Sequence, residues 1–389
     1  MTVPRRVLPV IVIAQFLCTS LWFAGNAVMG GLRQDFGLPA EAVGSLTSAV
    51  QFGFISGTLV FALLSVADRF SPSKVFCYCA ALGALFNLGV TWEGNTYGSL
   101  LAFRFATGFF LAGIYPVGMK IAADYFDRGL GRSLGYLVGA LVLGTALPHL
   151  LRDVIGSLPW QWVLYLTSGL AVIGGLLMVV LIPDGPYRRA GAKLEPRAAF
   201  TIFRDREFRA AAGGYFGHMW ELYTFWAFVP LLLTTYAALH PATVLNIPLL
   251  SFAIIAAGGP GCVLAGYLAE GWGTRRIAAT ALALSGICSL LLPLTINYFS
   301  PVLFVTFLIF WGMVVVADSP LFSTLVAQRA PVATRGTALT MVNCIGFAIT
   351  IVSIQLIGGA VTLAGGVIVY ALLAIGPIMG LLALRLRTD

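Results

Sequence analysis

The chain has 389 residues, of which 59% are hydrophobic and only 10% are charged, and its mean hydropathy is +0.94. One soluble core cannot bury this much apolar surface, so the composition excludes a soluble protein. The 23 Lys and Arg exceed the 15 Asp and Glu and give a formal charge of +8, which in a soluble protein would suggest nucleic-acid binding. Here, however, the apolar runs are continuous over about 20 residues, so they predict membrane-spanning helices rather than the alternating strands of a barrel.

Windows of about 19 residues predict twelve spanning helices, which the longest polar interruption divides into six plus six. We number them 1 to 12 in chain order: 7–30, 44–67, 75–93, 98–123, 130–152, 160–182, 209–236, 246–269, 276–297, 301–327, 334–358 and 362–384. We therefore predict an all-α polytopic membrane protein made of two six-helix bundles. The predicted parts are an N-terminal bundle at 1–182, a basic cytoplasmic linker at 183–208 and a C-terminal bundle at 209–389.

The distribution of basic residues predicts the orientation in the membrane. If the N-terminus is cytoplasmic, 19 of the 23 Lys and Arg fall on the cytoplasmic side, and only Arg33 and Arg152 fall on the other. This asymmetry predicts a multi-pass protein of the cell inner membrane with both termini in the cytoplasm, and it explains the positive charge without nucleic acid. The six cysteines show no metal-ligand spacing, so we expect no metal and no other cofactor.

The two halves of the sequence echo one another at a nearly constant offset. Lys74, after helix 2, corresponds to Arg276, after helix 8, at an offset of 202 residues. Pro116 in helix 4 corresponds to Pro320 in helix 10 at an offset of 204 residues. Such offsets at equivalent positions indicate an internal duplication, so the two bundles are predicted to be pseudo-symmetric.

The loops after helices 2 and 8 carry the pattern G-x-L-a-[DE]-x-x-G-x-[RK]-[RK]. The second loop matches it at Gly266, Leu268, Glu270, Gly273, Arg275 and Arg276, and the first loop keeps Asp68, Arg69 and Lys74. Helix 4 contains RFATG at Arg104–Gly108, similar to an R-x-x-x-G pattern. With these motifs and twelve helices, the chain resembles the major facilitator superfamily.

The resemblance implies secondary transport by alternating access, with a central cavity lined by helices 1, 4, 7 and 10. It also implies a conformational latch at the cytoplasmic helix ends, formed by Asp68, Arg69, Glu270, Arg275 and Arg276. The alternative interpretation of these five residues is ordinary positive-inside charge. No ATP-binding motif is present, so transport would draw on a gradient or on the substrate itself.

Helix 7 contains the sequence GGYFGHMWELYTFW, in which His218 and Glu221 lie three residues apart near mid-membrane. An ionised carboxylate at that depth costs roughly 2.5–3.5 kcal/mol on insertion scales, so it requires an explanation. We predict that Glu221 and His218 share a hydrogen bond and, with Asp318 of helix 10, carry protons. The alternatives are a structural helix-locking pair and, for Asp318, a counter-ion for Arg104 or His218 or a partner for backbone freed by Pro320.

Polar and aromatic residues on helices 1, 4 and 7 form the predicted substrate site. They are Gln15, Trp22, Asn26, Arg104, Tyr115, Trp220, Tyr223 and Trp226. Aromatic rings can enclose a flat organic molecule, and polar side chains in lipid usually face other helices or a cavity. For Arg104 two roles remain open: binding a substrate carboxylate, or clamping backbone carbonyls of a neighbouring helix.

These features predict a monomeric transporter of a small polar organic solute, anionic if Arg104 binds it, coupled to protons and surrounded by lipid. The alternatives are a proton-driven exporter of drugs or amphipathic compounds, a facilitative uniporter and a sensor with a transporter fold. An enzyme is not expected, because the sequence has no nucleophile–base spacing and no metal-ligand cluster.

Overall fold

The computed structural model of the chain describes residues 5–126, 130–188, 201–331, 334–364 and 366–385. It is 84% helix, and the described residues contain no strand. The helices form two compact units, Met1–Leu194 and Glu195–Asp389. Residues 189–200 of the predicted linker, and Arg128 and Arg387 among the predicted cytoplasmic cations, lie outside the described residues.

The first unit contains ten helices within its described residues. They are α1 Val7–Thr19, α2 Ala24–Ala27, α3 Met29–Phe36, α4 Ala42–Leu63, α5 Val66–Arg69, α6 Pro72–Gly89, α7 Tyr97–Leu111, α8 Tyr115–Tyr125, α9 Leu130–Ile155 and α10 Gln161–Leu181. The second unit contains α11 Arg206–Leu239, α12 Ile247–Ala256, α13 Gly258–Trp272, α14 Thr274–Tyr298, α15 Pro301–Ala317, α16 Ser319–Arg329, α17 Arg335–Ala364, a 3₁₀ helix at Val367–Ala374 and α18 Ile375–Arg385.

Each of the twelve predicted spanning helices coincides with helical structure. Ten helical segments in the described ranges are long and apolar enough to cross a membrane. The other two predicted spans correspond to α1, an apolar helix of 13 residues, and α6, which has 18 residues. The chain is thus an all-α polytopic membrane protein, as its composition predicted.

The first predicted span is interrupted, and the prediction of one continuous helix over 7–30 is wrong. Helix α1 ends at Thr19, and the short helix α2 begins only at Ala24. In a continuous helix the carbonyls of Leu21 and Trp22 would accept hydrogen bonds from the backbone four residues later. In the structure they accept hydrogen bonds from the Arg104 guanidinium instead.

Two further predicted spans break next to a proline. Helix α7 ends at Leu111 and α8 begins at Tyr115, just before Pro116, while α15 and α16 meet at Asp318, just before Pro320. Proline has no backbone N–H and leaves the carbonyl four residues earlier without its helical donor. In the second unit that carbonyl belongs to Val316, and it accepts a hydrogen bond from the Cys262 thiol.

Helices α4 and α7 pack backbone to backbone through two glycines. A Cβ at Gly108 would overlap the backbone of Val50, and a Cβ at Gly53 would overlap the carbonyl of Phe105. Only residues without a side chain allow this approach. The glycine of the RFATG motif therefore has a packing role, because it allows α7 to approach α4 closely.

Candidate functional site

Glu221 lies in the middle of α11 and is 1% exposed. The Ser285 hydroxyl on α14 donates to Oε2 at 2.5 Å, and the Trp311 indole on α15 donates to Oε1 at 2.8 Å. Among the described residues, no Lys, Arg or His forms an ion pair with this carboxylate. Both carboxylate oxygens are therefore satisfied by neutral donors alone.

His218, one turn earlier on α11, pairs with Asp318 at the junction of α15 and α16. Its Nδ1 lies 2.7 Å from Asp318 Oδ1, and the two side chains are 0% and 1% exposed. His218 Nε2 and Asp318 Oδ2 have no hydrogen-bond partner in the described part of the chain. The pair thus keeps one free donor or acceptor site on each side chain, a requirement for passing a proton onward.

The predicted hydrogen bond between His218 and Glu221 is absent, because each side chain has a different partner. Residues three apart on a helix point about 60° away from each other. Within the second unit, Glu221 therefore contacts Ser285 and Trp311. His218 contacts Asp318 instead. The three titratable residues predicted for proton coupling are all buried here, and their role in coupling stays a prediction.

The three predicted aromatic residues of this helix separate into two groups. Trp226 and Tyr223 are buried with ring centroids 5.2 Å apart, and Tyr223 also contacts Phe347 at 5.1 Å. Trp220 instead donates its indole N–H to the Leu372 carbonyl of the 3₁₀ helix at 3.0 Å. Tyr223 and Trp226 thus belong to one aromatic group, whereas Trp220 anchors α11 to the last helical segment of the unit.

Arg104 on α7 is 1% exposed, and its guanidinium binds inside the first unit. It donates to the Trp22 carbonyl at 2.5 Å, to the Leu21 carbonyl at 3.2 and 3.3 Å, and to Asn87 Oδ1 at 3.1 Å. Asn87 in turn donates to Ser168 Oγ on α10 at 3.0 Å. Arg104 therefore clamps the break after α1, the second of the two roles predicted for it, and it has no carboxylate partner among the described residues.

The remaining predicted substrate residues of the first unit differ in how far their polar groups are satisfied. Asn26 donates to Thr47 Oγ1 at 2.8 Å, and the rings of Trp22 and Phe54 lie 4.8 Å apart. Tyr115 is partly buried at the first position of α8. Gln15 is fully buried, and neither atom of its amide has a partner in the described part of this unit.

No role was predicted from the sequence for Ser285, Trp311, Gln51 and Asn87, which belong to these sites. Gln51 on α4 resembles Gln15, because it is fully buried and its amide nitrogen and oxygen have no partner among the described residues. A single glutamine within an otherwise apolar run is the signal that could have identified it. Ser285 and Trp311 carry no such signal, because both residue types are common in spanning helices.

The predicted latch residues lie at helix ends, and the structure shows no ion pair between any two of these described residues. In the first unit, Asp68 forms an ion pair with Lys120 at 3.0 Å, and the Lys120 ammonium also lies 3.7 Å from Asp124. Arg69 is exposed. In the second unit, Arg275 donates to the Leu384 carbonyl and lies 4.0 Å from Glu207. Glu270 and Arg276 are exposed. The latch role of these residues stays a prediction.

A sequence profile described as Major Facilitator Superfamily matches residues 11–354. The chain belongs to this superfamily. It is 27% identical over 163 residues to the 3-(3-hydroxy-phenyl)propionate transporter of Escherichia coli strain K12, a match that covers 41% of this chain and 38% of the relative. It is 28% identical over 210 residues to the 4-hydroxybenzoate transporter PcaK of Pseudomonas aeruginosa, covering 50% and 42%. The matches thus span about two fifths of the length of these curated relatives.

The fold is also that of solved superfamily transporters. A crystal structure of a variant of the nucleoside transporter NupG superposes with a TM-score of 0.76 at 15% identity, covering 98% of this chain and 100% of that one. At this identity the likeness concerns the fold. Family and relatives together point to a transporter rather than an enzyme.

Proposed function

We propose that the protein is a proton-coupled secondary transporter that moves a small organic anion, an aromatic carboxylate, across the cell inner membrane by alternating access. The observation that carries the proposal is Glu221, a fully buried carboxylate held by Ser285 and Trp311 without a cation. The ionised form of Glu221 is disfavoured while the side chain is buried, and it is stabilised when water reaches the carboxylate. A site with these properties takes up and releases a proton as its access to water alternates.

The His218–Asp318 pair gives the proton a second buried position beside Glu221. An imidazole and a carboxylate 2.7 Å apart can exchange a proton without rearrangement of the helices. His218 lies on α11, and Asp318 lies at the break between α15 and α16. A change in the geometry of that break therefore alters the distance between the two side chains. We infer that this break couples proton movement to the conformational cycle.

The substrate class is inferred from the first unit and from the relatives. Arg104 carries a buried positive charge that no carboxylate of the described residues neutralises, which favours an anion nearby. The unpartnered amides of Gln15 and Gln51 can each donate and accept a hydrogen bond, as a carboxylate or a phenol requires. The two curated relatives are named for a hydroxyphenylpropionate and a hydroxybenzoate, both aromatic carboxylates.

Purified protein in liposomes tests the proposal in two assays. A pH gradient should drive uphill accumulation of radiolabelled 4-hydroxybenzoate or 3-(3-hydroxyphenyl)propionate by the wild type. Glu221→Gln should abolish this accumulation and retain exchange of labelled for unlabelled substrate, because exchange needs no net proton release. Glu93→Gln, which changes an exposed glutamate of the first unit, is the matched control. Accumulation that survives Glu221→Gln would disprove the coupling role.

The same assays separate the substrate from the mechanism. If the wild type moves neither acid, the proposed substrate class is wrong. A thermal-shift screen of organic anions then identifies the class, because a ligand stabilises the folded state by RT ln(1 + [L]/Kd). We further infer that both termini lie in the cytoplasm, in accord with the excess of basic residues on one side. The monomeric state stays a prediction.

A further inference from the structure

A cavity of about 700 Å³ opens at one end of the second unit, at the helix ends that the basic residues predict to be cytoplasmic. Three arginines and several apolar side chains line it, and none of the lining residues is acidic. The lining residues are Trp272, Gly273, Thr274, Arg275, Arg276, Ala279, Leu325, Gln328, Leu381, Leu384 and Arg385. The cavity is separate from the buried Glu221 and His218–Asp318 sites, and of its lining residues only Arg275 and Arg276 were predicted to act in transport, as latch residues. We propose that it binds the headgroup of an anionic phospholipid of the cytoplasmic leaflet.

The charges of the cavity favour an anion. Arg276 and Arg385 are exposed, and neither forms an ion pair with a carboxylate of the described chain. Arg275 is held in place by the Leu384 carbonyl. Among the described residues its one acidic partner is Glu207 at 4.0 Å, which also pairs with Arg329 at 3.3 Å. Of the three lining arginines, only Arg275 therefore has a carboxylate neighbour in the described part of the chain, and it shares this carboxylate with Arg329. A phosphate can accept paired N–H bonds from guanidinium groups of this kind.

The start of α14 adds backbone donors to the same cavity. Its N-cap residue is Gly273, with φ 89°, which has no side chain to cap the helix, and the first turn contains no acidic residue. The backbone N–H groups of Thr274, Arg275 and Arg276 have no acceptor among the described residues. An uncapped helix start of this kind attracts a negative charge. Together with the arginines, it supplies donors from two independent sources.

The apolar part of the cavity distinguishes a lipid from a soluble phosphate. Leu325, Leu381 and Leu384 form part of the wall, and Trp272 at the rim is 67% exposed at the end of a spanning helix, where tryptophans favour the membrane interface. The neighbouring turns of α13 expose Leu264 and Tyr267, which an acyl chain can follow. Basic pockets between helix ends on the cytoplasmic side are typical headgroup sites.

The test measures the melting temperature of the full-length protein in detergent with added phosphatidylglycerol or phosphatidylcholine. Phosphatidylglycerol should raise it by at least about 4 °C, and phosphatidylcholine by less than a quarter of that. The double variant R276Q/R385Q should lose most of this shift. The control R69Q/K74Q removes the same amount of charge from the corresponding loop of the first unit. This control should retain the full phosphatidylglycerol shift.

A second variant tests the proposal even if the double variant does not fold. Ala279→Leu leaves every charge in place and fills part of the cavity, so it should also abolish the shift. Equal shifts with the two lipids, or a full phosphatidylglycerol shift in both cavity variants, would overturn the proposal. A full shift with inorganic phosphate or glycerol phosphate would replace the lipid with a soluble anion and overturn it as well. These outcomes are independent of the transport assays.

Discussion

Nδ1 of His218 lies 2.7 Å from Oδ1 of Asp318, and both side chains are buried. Asp318 occupies the break between α15 and α16, so this contact ties α11 to a point where a spanning helix is discontinuous. The neighbouring carboxylate of Glu221 accepts hydrogen bonds from Ser285 on α14 and Trp311 on α15. Three titratable groups thus lie where three helices of the second unit meet.

We expect His218 and Asp318 to be energetically coupled. Removing one partner of a buried hydrogen-bonded pair leaves the other unsatisfied and typically costs about 1–3 kcal/mol. Asp318→Asn and His218→Gln should each lower the melting temperature, and the double variant should lower it by less than the sum, with a coupling of about 0.5–3 kcal/mol. Asp318→Asn combined with Gly135→Ala, in the other unit, should be additive. Additivity of the His218 and Asp318 changes would argue against the pair.

Gln15 and Gln51 allow a test that separates binding from folding. A buried amide without a partner costs roughly 1–3 kcal/mol, so an apolar side chain of similar size should not destabilise the protein. Gln15→Leu and Gln51→Leu should keep or raise the melting temperature while raising the substrate concentration for half-maximal transport by about tenfold, the effect of losing about 1.4 kcal/mol.

Asn87→Leu is the matched control for these two variants. Its amide donates to Ser168 and Thr167 and accepts from Arg104, so the same change should lower the melting temperature. If Gln15→Leu and Gln51→Leu also lower the melting temperature and leave transport affinity unchanged, the amides are structural, and the proposed substrate contact is wrong.

Arg104 should combine a clamping role with an electrostatic one. Lysine has one ammonium and cannot reach the Leu21 and Trp22 carbonyls and Asn87 together, so Arg104→Lys should lower the melting temperature. Because the charge remains, its affinity for the anion should stay within about threefold of wild type, a difference of less than 1 kcal/mol. Arg104→Ala should lower both quantities, and unchanged substrate affinity in both variants would exclude a role in binding.

The sequence could predict the spanning helices and the buried polar residues because both depend on composition. A continuous apolar run has no stable alternative to a helix in lipid, and each isolated polar residue within it is conspicuous. Glu221, His218, Asp318 and Arg104 were all identified on that basis. All four are buried within their own unit in the structure.

The partners of these residues could not be predicted, because they depend on contacts distant in the chain. Arg104 donates to carbonyls 82 and 83 residues away, and this contact accompanies the break in the first span. Nothing in the local sequence of residues 20–23 signals that break. Pro116 and Pro320 do carry a local signal, but windows of about 19 residues average it out.

The last prediction concerns Gly108, which sets the distance between α4 and α7. A Cβ at this position would overlap the backbone of Val50, which cannot move without separating the two helices. Gly108→Ala should therefore lower the melting temperature strongly or yield protein that is not monodisperse in size-exclusion chromatography. Gly135→Ala is the control, because no atom lies within 4 Å of the added Cβ. Alanine there should be neutral or stabilise α9 by up to about 1 kcal/mol. If Gly108→Ala melts within about 2 °C of wild type, α4 and α7 do not pack as closely as described.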